Sequence, residues 1–98
     1  MAERQYYTYL MTNERNTAIY TGMTNNIRDR PRPHREGKSA FTKKYNVVKL
    51  AYFEEKDSPA EAIAREKQSK AGSREKKEAL INSINPEWRD LWDDLTFY

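Results

Sequence analysis

The sequence predicts an α+β fold, a small three-stranded antiparallel sheet flanked by helices in the order β-β-α-β-α-α. Three observations predict it. Two short runs rich in β-formers, Gln5 to Met11 and Ala18 to Met23, flank the polar stretch Thr12 to Asn16, the pattern of an antiparallel hairpin. A third run, Val47 to Glu54, alternates as a strand does, with Val48, Leu50 and Tyr52 on one face and Val47, Ala51 and Phe53 on the other. Two helix-capping patterns then follow in succession, one from Ser58 and one from Ser73.

Gly22, inside the second strand, predicts that another group approaches the backbone there or that the strand bends. Asn25 or Asn26 can cap a first helix, with Asp29 placed to help at its first turn. Pro31 and Pro33 bracket Arg32, and a proline beyond the first turn costs roughly 3 kcal/mol, so this helix should be short or kinked, from about Asn26 to Arg35. The best local signal is Asp57-Ser58-Pro59-Ala60-Glu61. Ser58 caps, Pro59 takes the first helical position, and Glu61 completes a capping box. That helix should run to Ala71, with Gly72 as a left-handed stop. The helix capped by Ser73 should reach Ser83, with Leu80 and Ile84 on its buried side, and Asn85-Pro86 should end it. Trp88, Leu91, Trp92 and Leu95 recur at helical spacing, so the tail should dock as a turn or two of helix.

With 98 residues the chain suits one domain over 1–98, its core about 6–84 and an acidic, tryptophan-containing tail over 85–98. The charged fraction is 34% and the mean hydropathy −1.12, so the core must be small. The absence of cysteine excludes disulfides, thiolate metal sites and cysteine nucleophiles. No run is apolar enough for a signal peptide or membrane span, so a cytoplasmic protein is expected. The net charge of +3 is unevenly placed. Residues 28–49 hold eight basic side chains against Asp29 and Glu36, a local +6, while residues 85–98 set Arg89 against Glu87, Asp90, Asp93 and Asp94, a local −3. This asymmetry points to a polyanion footprint in the middle of the chain.

The most informative row of residues is Tyr20-Thr21-Gly22 followed by Asn26, Arg30 and His34, with Tyr7-Thr8-Tyr9 upstream and Glu66 in the middle of a later helix. Together with Phe41 to Tyr45 and Glu61 to Gln68, these residues resemble the GIY-YIG nuclease domain, and within it a short single-domain bacterial group of predicted endonucleases. The resemblance runs from about Tyr6 to about Leu91. It implies hydrolysis of a phosphodiester with one Mg²⁺ or Mn²⁺, and larger relatives carry separate DNA-binding modules. One departure is Met23, which stands where some relatives carry a lysine.

On this resemblance Tyr20 is the candidate general base, taking a proton from water. A free phenol titrates near 10, so its surroundings must help it. Tyr9 would line the same pocket. Arg30 would grip the scissile phosphate through paired, permanently charged donors, and His34 would bind phosphate or carry a proton. Glu66 would be the metal ligand, one carboxylate sufficing for a hard cation that keeps its waters. Lys43, Lys44, Arg28 and Arg35 are the candidate nucleic-acid contacts. The expected function is a metal-dependent endonuclease acting on DNA, branched or damaged DNA included, with low sequence specificity and with a protein partner as a candidate source of substrate choice. The alternatives are a nucleic-acid-binding module whose nuclease activity is weak or lost, and a protein-interaction domain contacting its partner through exposed Trp88 and Trp92.

Overall fold

The structure, a computed structural model, describes residues 5–25, 27, 47–92 and 95. The helix expected over 26–35 falls outside them, apart from Ile27. Strands β1 (Tyr6–Asn13), β2 (Ile19–Thr24) and β3 (Val47–Lys56) form one antiparallel sheet in the order β2-β1-β3. The β1–β2 loop is tied by Asn13, whose Oδ1 accepts the backbone N–H groups of Thr17 and Ala18 at 2.8 and 3.0 Å. Asn16 takes the left-handed conformation there (φ 58°), which its short polar side chain tolerates.

Central strand β1 is buried on both faces. Tyr7, Tyr9 and Met11 point to one face, where they cluster with Ile27, Val47, Leu50, Leu91 and Leu95. Leu10 points to the other, with Ala51, Tyr52 and Ile81. We call these the tyrosine face and the helix face. The alternation expected for Val47 to Glu54 does not hold. Met11 pairs with Leu50 while Leu10 pairs with Tyr52, so Ala51 is an extra residue, and Val48 is a second one between the Thr12–Lys49 and Asn13–Val47 pairs. Each bulge reverses the parity of the strand. Val47, Leu50 and Phe53 therefore share the tyrosine face, as their partners Asn13, Met11 and Tyr9 require.

Helices α1 (Pro59–Ala71) and α2 (Arg74–Ile84) begin as the sequence predicts. The Ser58 and Ser73 hydroxyls accept from the N–H groups of Glu61 and Lys76, and Pro59 opens α1. Gly72 is not a left-handed stop: its φ and ψ are −73° and 158°. The cap of α2 follows at once, and two extended residues, Gly72 and Ser73, turn the chain between the helices. On α2 the fully buried residue is Ile81; Ile84 is 55% exposed, because the buried line continues from Ile81 to Asn85, four residues on, and leaves Ile84 to one side. No helix among the described residues is long and apolar enough to cross a membrane.

Two polar contacts hold α1 on the helix face. Thr8 Oγ1 donates to the Ala62 carbonyl at 3.1 Å, and Arg65 Nε donates to Glu54 Oε2 at 2.7 Å, with Lys56 Nζ 3.3 Å from the other oxygen. Burial pushes the Glu54 carboxyl up, but hydrogen bonds from Arg65 and Tyr52, the charge of Arg65 and Lys56 outweigh it, and the net shift is downward. Tyr52 is pushed up to about 12 by burial and by the adjacent Glu54 carboxylate.

Beyond α2 the chain wraps around the free edge of β3. Asn85 donates through Nδ2 to the carbonyl of the bulged Ala51 (3.0 Å) and to Arg89 (2.8 Å), and its Oδ1 accepts Arg89 N–H. Asp90 Oδ1 accepts the N–H groups of Leu50 and Trp92. Trp88, left-handed at φ 55°, is held by its N–H to Asn85 O, its indole N–H to Asn82 Oδ1, and Lys49 Nζ on its carbonyl. Trp88 packs on the helix-face cluster and Trp92 on the tyrosine-face cluster, both half-buried, so the interaction reading that needed them exposed loses its basis.

A pH dependence follows from Tyr52. Its folded pKa lies above its unfolded value, so its contribution is complete below pH 10 and is lost as pH rises toward about 12. Urea melts between pH 9 and 11.5 should show the wild type losing about 2 kcal/mol more stability than Tyr52→Phe.

Candidate active site

The hairpin register builds the first part of the site. Met11 stands opposite Tyr20 and Tyr9 opposite Gly22, so both tyrosines belong to the tyrosine face. Gly22 answers the question its sequence position raised: a β-carbon there would lie 2.8 Å from Tyr9 Cε2 and closer still to the end of the ring. The Tyr9 ring therefore lies directly over the glycine backbone. Tyr9 is 1% exposed and locked in this position, whereas Tyr20 is half-buried on β2, which has no strand on its outer side among the described residues. Tyr7 is occupied elsewhere, edge-on to Phe53 with ring centroids 6.1 Å apart.

Glu66 sits on α1, on the other side of the sheet. Ala62 and Ser69 mark the buried line of that helix. At 100° per residue, Arg65 and Glu66 lie on opposite shoulders of that line. Because Arg65 is pinned to Glu54 on β3, the shoulder carrying Glu66 is the one toward β2. The strand that bears Tyr20 is thus flanked by the phenol on one face and approached by the carboxylate from the other. The clamp that sets this rotation was not singled out in the sequence, because its partners lie eleven positions apart on different elements.

The two carboxylates near α1 differ in what they can still bind. Glu54 is taken up by Arg65, Lys56 and Tyr52. Glu66 is half-buried and among the described residues has only Lys70 at 3.8 Å, an i,i+4 contact whose lysine is mostly exposed and which is worth little. Its oxygens remain available to a hard divalent cation, which fits a site of one carboxylate with waters and substrate oxygens. No group of three or more His, Asp or Glu able to hold a metal occurs among the described residues.

Arg30, His34, Arg28, Arg35, Lys43 and Lys44 lie outside the described residues. Ile27, which precedes Arg28 in the sequence, is 3% exposed in the core cluster of the tyrosine face.

The chain is similar to known proteins over most of its length. Residues 5–79 match the GIY-YIG catalytic domain. The chain is similar to a UPF0213 protein of Syntrophus aciditrophicus, 40% identical over 83 residues (83% of this chain, 93% of the relative). It is 35% identical over 91 residues to one of Bacillus licheniformis, covering 92% of this chain and 93% of that one. The solution NMR structure of a UPF0213 protein from Bacillus halodurans superposes with a TM-score of 0.55 at 28% identity, over 86% of this chain and 90% of the other.

Gly22→Ala should destabilise the protein by about 1–3 kcal/mol, the usual range for overpacking, because the ring and the β2 backbone cannot both stay in place. Chemical denaturation measures the loss, and the NMR signals of the Tyr9 ring should move with it.

Proposed function

This chain belongs to the GIY-YIG catalytic-domain family, a family of nucleases, and we propose that it is itself a metal-dependent endonuclease that cuts DNA with little sequence preference. The observation that most supports this reading is the hairpin itself. A buried Tyr9 braces Gly22, and this holds the neighbouring Tyr20 on an edge strand where a substrate can reach it.

In this reading Tyr20, as the phenolate, accepts a proton from the attacking water, the water oxygen bonds to phosphorus, and the P–O bond to the leaving sugar oxygen breaks, that oxygen taking a proton from His34 or from solvent. Tyr9 is a positioning residue, acting through Gly22. Arg30 holds the non-bridging phosphate oxygens, where charge builds up, and His34 lends a further contact or a proton. Glu66 would hold Mg²⁺ or Mn²⁺, which when bound supplies Lewis-acid stabilisation of the phosphate. Arg28, Arg35, Lys43 and Lys44 contact the phosphate backbone, which favours affinity over base choice.

Cleavage of labelled single-stranded, duplex, nicked and branched DNA with Mg²⁺, Mn²⁺ or EDTA tests the reading. Tyr20→Phe and Glu66→Gln should each lower the rate on the order of 10²–10³-fold. Glu66→Gln should leave DNA binding in EDTA nearly intact. An active wild type whose rate survives Glu66→Gln removes Glu66 as the ligand. Salt-sensitive binding without cutting in any metal would mark the chain as a binding module.

A further inference from the structure

A second basic region lies away from the tyrosines. Residues 65–77 hold six basic side chains against Glu66 and Glu75, a local +4 that exceeds the net charge of the whole chain. The structure folds this segment into the elbow between α1 and α2, around a cavity of about 310 Å³. That volume is at the lower end of the range for small-ligand pockets. Arg65 and Gln68 line it from α1, and Lys76, Lys77, Ala79 and Leu80 line it from α2. No carboxylate is among its described lining residues.

The charges of the segment are not equally committed. Arg65 is bound to Glu54, Lys70 stands near Glu66, and Arg74 pairs with Glu78 while donating to the carbonyls of Asn16 and Thr17. Lys76 and Lys77 have no ion-pair partner among the described residues. They also occupy the first turns of α2, where positive charge opposes the helix dipole. An anion in the cavity would offset both costs. The floor is different in character, since Ala79 and Leu80 offer an apolar surface to a flat ring. Gln68 Oε1 already accepts from Arg65 Nη1, which leaves its amide NH₂ to donate.

We infer that this cleft seats one unpaired nucleotide of a nucleic-acid strand, its phosphate between Lys76 and Lys77 and its base over Leu80. The inference rests on the nucleic-acid substrate proposed above. It places a second contact on the helix face, across the sheet from Tyr20, and so favours substrates with a single-stranded stretch.

The test is the anisotropy of a fluorescein-labelled oligothymidylate, against a duplex of equal length, in EDTA over a series of salt concentrations. Without metal the outcome does not depend on cleavage, so a failed nuclease reading and a failed cleft are separable. Lys76→Ala/Lys77→Ala, confirmed as folded by circular dichroism, should bind the single strand about fivefold more weakly or worse. The slope of log K against log salt should fall in magnitude by about 0.7, the value for one phosphate on a single strand. Ala79→Phe, which fills the cavity and keeps every charge, should weaken binding with the slope unchanged. In the ¹⁵N-labelled wild type the oligonucleotide should shift the amides of Gln68 and Ala79. Single-strand affinity unchanged in both folded variants, an equal loss for the duplex, no binding by the wild type, or shifts confined to the β1–β2 hairpin would each overturn the proposal.

Discussion

Strand β3 is irregular twice, and the molecule depends on how those irregularities are satisfied. Each bulge leaves one residue of β3, Val48 or Ala51, without a partner in β1, and the outer side of this edge strand has no strand partner among the described residues. Asn85 takes the Ala51 carbonyl and Asp90 takes the Leu50 N–H, so two side chains from beyond α2 do what a fourth strand would otherwise do. The same contacts carry the chain from one face of the sheet to the other. Without that crossing, Leu91 and Leu95 would not reach the cluster around Tyr9, and the tyrosine face would lose part of its cover. The left-handed Trp88, a conformation costing on the order of 1–3 kcal/mol, persists because three hydrogen bonds hold it at the corner.

The sheet separates two kinds of chemistry. One face collects phenols and apolar side chains around a glycine gap, and the other carries the helices, the ionic clamp and the basic elbow. Strand β2 is where they meet, since it is the edge that both Tyr20 and the Glu66 shoulder of α1 border. The reaction centre proposed at this edge would be open to a polymer, which can pass without threading. It also makes the site depend on the stiffness of one hairpin, and the Tyr9 ring packed on Gly22 supplies that stiffness.

What could be read from the sequence divides along physical lines. Local chemistry was legible: the Ser58 and Ser73 caps, Pro59 at the helix start, and the demand of Gly22 for a close neighbour each depend on a few adjacent residues. Long-range geometry was not. The residues Val48 and Ala51 carry no glycine or proline to announce a bulge, so plain alternation put Leu50 and Tyr52 together when they lie on opposite faces. The intrinsic freedom of Gly72 points to a left-handed stop, and the immediate start of the next helix sets its conformation instead. The shared face of Tyr9 and Tyr20 was legible because strand pairing follows from the hairpin. The position of Glu66 depends on a clamp to another element, which spacing alone does not reveal.

That clamp has an evolutionary corollary. Arg65 and Glu66 are consecutive, yet one anchors the helix to β3 and the other borders β2, solely because they differ by about 100° around the axis. A one-residue insertion or deletion between Ser58 and Arg65 would rotate everything downstream by that angle and move the arginine away from Glu54. Point substitution along the exposed side of α1 leaves the phase alone. Helix α1 should therefore vary freely in composition among functional descendants while keeping the eight-residue interval from its serine cap to Glu66, with length changes confined to the loops.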